Sequence, residues 1–193
     1  MSFFGRWEPG RSMVLCIDTP DDFRSQLEQS IAKGEDTIDL SNPFALYVPL
    51  IDQIVDLYDR SVWGIRDLIR TVEKVPFLCW QADKMILLTA YEKHREGVTE
   101  TSFSKLNEIS RHATHSTETL SVTTQSLEIM QQRHRSFHES SPSPNAATQT
   151  FPETAQQHMN FQAQLIHNLK LRSCANQERL QSEITLVFLH LPM

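Results

Sequence analysis

The chain has 193 residues, with 18 Lys plus Arg against 24 Asp plus Glu and a formal net charge of −6. That length suits one domain of ordinary size, and the absence of any Lys/Arg-rich run argues against a nucleic-acid ligand. Hydrophobic residues make up 39 %, and no uninterrupted apolar run approaches the roughly 20 residues that a membrane-crossing helix needs.

Arg6, Glu8 and Arg11 fall where a secretory signal requires an apolar run, so no signal peptide is expected. VLCI at 14–17 reads as a short strand. Thr19-Pro20-Asp21-Asp22 supplies an N-cap, a first-turn proline and early negative charge. A helix follows, with Phe23, Leu27 and Ile31 spaced by four and Gly34 as its stop. Ser41-Asn42-Pro43 resets the chain, and the next helix is expected from about Pro49.

Ile51, Val55, Tyr58, Val62, Ile65, Ile69 and Val72 alternate spacings of four and three, a heptad seam widened by Leu50, Ile54, Leu57, Trp63 and Leu68. Pro76 is expected to end that helix, and residues 75–101 read as an irregular insertion that fits neither neighbouring seam. Leu106, Ile109, Ala113, Ser116, Leu120, Thr123, Leu127, Met130 and Phe137 form a second seam, predicting a helix from about Ser104 to Phe137. The stretch 139–154 is rich in Ser, Thr and Pro and reads as a mobile linker. A last helix lies within 155–193, with Met159, Ile166, Leu169, Leu180, Ile184 and Val187 near one stripe that Ser173 and Asn176 interrupt. The expected fold is mostly α: an N-terminal segment 1–42 with one short helix, two long helices in 43–138, the linker, and a stalk-like C-terminal helix, packed as an antiparallel bundle.

Chemistry-bearing patterns are sparse. His112, His115 and Glu118 recur every third residue and drift along one side of a helix, but no HExxH or further ligand of defined spacing completes a zinc site. Polar or interhelical histidines are the simpler reading. His134 and His138 have a metal-clamp spacing, yet their Arg- and Ser-rich surroundings suggest a solvated helix end. Cys79 has no identifiable partner histidine and reads as a packed thiol. Cys16, Cys79 and Cys174 include no CxxC pair, which fits a reducing compartment. Asp52, Asp56, Asp59 and Asp67 alternate with Arg60, Arg66 and Arg70, as on a salt-bridged face, while Tyr58 and Trp63 read as core or interface aromatics. Five glycines and no GxGxxG or GxxxxGK[ST] exclude the common nucleotide loops. No catalytic, cofactor-binding or metal-binding residue is assigned, and no cofactor or enzymatic activity is expected.

Three blocks, SVWGIRDLIRTVEK at 61–74, LNEISRHATHSTETLSV at 106–122 and NQERLQSEITLVF at 176–188, together resemble the helical region of fungal CorA-like magnesium transporters. The resemblance covers about half the chain, between Pro43 and Phe188 with gaps. It implies a divalent-cation transport family with two C-terminal transmembrane helices around a central pore and a Gly-Met-Asn signature at its mouth. This sequence has no Gly-Met-Asn and stops at Leu191-Pro192-Met193, near where the family's stalk helix leads into its first span. No pore role can therefore be carried onto any residue. The 75–101 insertion is a second departure, interrupting what the family shows as a shorter connection between the two helices; a retained intron and a premature end, or a degenerate paralogue, would account for both.

The expectation is a non-catalytic, cytoplasmic, transporter-derived helical domain, truncated before the pore and unable to conduct ions alone. A longer gene product would sit at the membrane. Expected partners are a second copy or a full-length CorA-like protein, met through the heptad seams. The alternative is a helical interaction or accessory protein unrelated to transport, and a helical metalloenzyme ranks last.

Overall fold

The computed structural model describes residues 1–8, 11–34, 38, 42–81, 84–140 and 150–189; within the helices, 74–81, 84–103, 138, 140, 150–154 and 187–189 are described by backbone alone. Strands β1 (Ser2–Glu8) and β2 (Arg11–Ile17) precede helices α1 (Phe23–Lys33), α2 (Tyr47–Gln81), α3 (Lys84–Ser140) and α4 (Thr150–Leu189). The fold is mostly α, as the seams predict.

Two boundaries are corrected. Residues 75–81 continue α2 through Pro76, and 84–101 are the opening turns of α3, so this segment is helical where an irregular insertion was expected. Proline removes one backbone donor, but Leu, Met, Ala, Lys and Glu dominate 84–96 and favour helix whatever the phase of their apolar residues. The linker expected at 139–154 is narrower, since 139–140 close α3 and 150–154 open α4. Its remainder lies outside the described residues.

The chain divides into two compact units, residues 1–57 with 123–166, and 58–122 with 167–193. In the first, β1 and β2 pair antiparallel from Ser2↔Ile17 to Glu8↔Arg11. Cross-strand partners share a face. One face carries Phe3, Gly5 and Trp7: the Phe3 ring lies 5.7 Å from that of Phe23 in α1, and Trp7 meets Phe137 of α3 edge-on at 6.2 Å. Gly5 leaves room for Tyr47 here, because the Tyr47 hydroxyl stands where a Cβ would project. Asn42 Oδ1 accepts the Phe44 N–H at 2.8 Å, forming the turn that leads into α2. Leu50, Ile51, Val55, Leu127, Met159 and Ile166 are buried in this unit.

In the second unit, Ile65 and Ile69 of α2, Leu106, Ile109 and Ala113 of α3 and Leu180 of α4 form one hydrophobic cluster, with Val72 and Ile184 packed against it. Both heptad seams thus supply the core. In α3 and α4 the residue numbers run oppositely, Thr114 meeting Gln177 and Thr117 meeting Ser173, so the two helices are antiparallel here. Helices α2 and α4 run the same way, Val62 meeting Asn176 and Glu73 meeting Arg179.

Candidate functional site

The polar residues of the α4 stripe lie inside the packing and do not break it. Ser173 and Asn176 are buried. The Asn176 side chain donates to the Val62 carbonyl at 3.1 Å, and the Ser173 and Thr117 hydroxyls meet at 2.9 Å. Spacings of three and four carry the stripe through Met159, Gln162, Ile166, Leu169, Ser173, Asn176 and Leu180, all buried.

Trp63 lies at an interface, as expected. Its indole N–H donates to Asp59 at 3.0 Å, and the guanidinium carbons of Arg172 and Arg66 lie 4.1 and 4.8 Å from its ring centre. Asp52 has an interhelical role: in the first unit its Oδ1 accepts from His158 Nε2 at 2.7 Å and from Gln162 Nε2, both on α4.

His112, His115 and Glu118 are all exposed, and His112 Nε2 lies 3.9 Å from Glu108 one turn back. The structure does not gather them around a point. His134 corrects the solvated-end reading. Only 1 % exposed, it bonds Gln156 Oε1 through Nδ1 at 2.7 Å and meets the Phe44 ring edge-on at 5.1 Å. The missed signal was spacing, since His134 falls seven residues after Leu127 in the second seam. The side chains of Cys79 and His138 lie outside the described residues. Cys16, on the hairpin, has its thiol pKa pushed up by burial.

Among the described residues, no three or more His, Cys, Asp and Glu side chains are grouped to hold a metal ion, and no helix is long and apolar enough to cross a membrane. What the described contacts provide chemically is interhelical hydrogen bonding and ion pairing.

No protein-family model and no solved structure matches the chain. It is similar to Notoamide biosynthesis cluster protein M' of Aspergillus versicolor, at 30 % identity over 146 residues, covering 75 % of this chain and 31 % of that protein. The chain therefore spans about a third of that relative's length.

Proposed function

We propose that this chain is a non-catalytic helical domain of the CorA-like type, the cytosolic part of a metal-ion transporter, which does not conduct ions by itself. One observation carries the reading. The three blocks that bear the resemblance, 61–74, 106–122 and 176–188, supply every member of the core cluster of the second unit: Ile65 and Ile69, then Leu106, Ile109 and Ala113, then Leu180. Segments more than 30 residues apart in the chain serve one packed core, which supports reading the three blocks as parts of one helical unit.

Work by this domain is association: it positions a second copy or a full-length CorA-like partner through helical faces. A second reading, an accessory interaction protein of a biosynthetic cluster, is favoured by the name that the Aspergillus versicolor protein bears.

Full-length sequencing of the mature transcript separates the two. The first reading expects an open frame that continues past codon 193 into two apolar spans and Gly-Met-Asn. A transcript that terminates there and encodes no span favours the accessory protein.

A further inference from the structure

Asp52, His158 and Gln162 converge in the first unit from two helices. His158 and Gln162 are one turn apart on α4, with their side-chain nitrogens 3.4 Å from each other, and both bond the same oxygen of Asp52 on α2. Gln162 is only 7 % exposed, and its Oε1 is buried with no donor from the chain among the described residues. A buried amide oxygen left without a partner keeps the cost of its lost hydration uncompensated. The Asp52 and His158 side chains are 33 % and 36 % exposed, so solvent reaches the cluster on one side.

A carboxylate, an imidazole nitrogen and an amide oxygen make a mixed O/N donor set. Half a turn of the Gln162 amide exchanges Nε2 for Oε1 beside Asp52 and His158; the Nε2–Asp52 hydrogen bond is given up, and a cation bound to the oxygen takes its place. A cation then replaces two donors crowded onto one oxygen. The third ligand is an amide oxygen.

We propose that Asp52, His158 and Gln162 form a divalent-cation site, with Zn²⁺ the best match because imidazole favours it over Mg²⁺, which prefers oxygen ligands throughout. Bound waters complete the coordination on the exposed side. The ion ties α2 to α4 within this unit, and the site is independent of the transporter reading.

The test is a Zn²⁺ titration of the full chain in a zinc-buffered solution, followed by side-chain ¹H–¹⁵N spectra of the histidines. His158 Nε2 is expected to shift first and saturably, while His112 and His115 stay unmoved and Mg²⁺ gives no shift in the same range. Asp52→Asn and Gln162→Leu are each expected to weaken zinc binding at least tenfold. His158 resonances that do not move, His112 or His115 moving at equal or lower zinc, or undiminished binding in Asp52→Asn would each overturn the site. Because the spectra are read on the unaltered chain, a variant that fails to fold leaves the proposal decidable.

Discussion

Arg179 on α4 grips Glu73 on α2 through two parallel bonds, Nε to Oε1 at 2.9 Å and Nη2 to Oε2 at 2.6 Å. Both side chains are partly exposed, so screening limits the pair, but the fork geometry fixes the register of the two helices. Arg179→Lys keeps the charge and loses the fork, with an expected cost of about 1 kcal/mol. Urea unfolding at low and high salt checks it: the difference between Arg179→Lys and the parent should shrink as salt rises.

His134 predicts a larger effect. Replacing it by Ala removes a buried ring beside Phe44 and leaves Gln156 Oε1 without its imidazole partner. The expected loss is about 2–4 kcal/mol. His112→Ala, on an exposed surface, should stay within about 0.5 kcal/mol of the parent. Chemical denaturation of both variants measures the contrast, and equal effects would contradict the buried placement of His134.

At Gly5 the constraint is space. A methyl group there meets the Tyr47 hydroxyl, so Gly5→Ala is expected to cost about 1–3 kcal/mol by overpacking. Adding Tyr47→Phe, which removes that oxygen, should recover part of the loss. Thermal unfolding of the single and double variants gives the coupling.

Cys16 predicts an alkaline dependence. Burial raises its thiol pKa in the folded chain, so the unfolded chain ionises first. The associated stability is complete below the unfolded thiol's pKa and is lost as pH rises through the folded value. Alkylation of Cys16 by iodoacetamide should accordingly reach half its maximal rate at a higher pH than in the urea-unfolded chain. Coincident midpoints would contradict the shift.

The helical seams were legible because each seam residue follows the last by three or four positions, and Ile51, Val55, Val62, Ile65 and Ile69 of the first seam are all buried. Strand β1 was not read. Its Phe3, Phe4 and Trp7 show no clean alternation, because cross-strand pairing puts apolar side chains on both faces, with Phe4 and Leu15 exposed as partners. The buried polar positions were illegible for a different reason. His134, Gln162, Ser173 and Asn176 sit at core spacing, but composition marks such residues as surface, and the hydrogen-bond partners they have lie distant in sequence. Asp52 shows the same limit: neighbouring arginines suggested local pairing, whereas its partners lie more than 100 positions away.

The most direct measurement of the central proposal is cation uptake by a fungal CorA-like transporter whose own helical region is replaced by residues 43–188 of this chain. If these helices are a CorA-like domain, the chimera, present at the membrane and resistant to mild proteolysis, retains magnesium uptake above that of cells lacking the transporter. A chimera equally abundant and equally protease-resistant that carries no uptake would contradict the account.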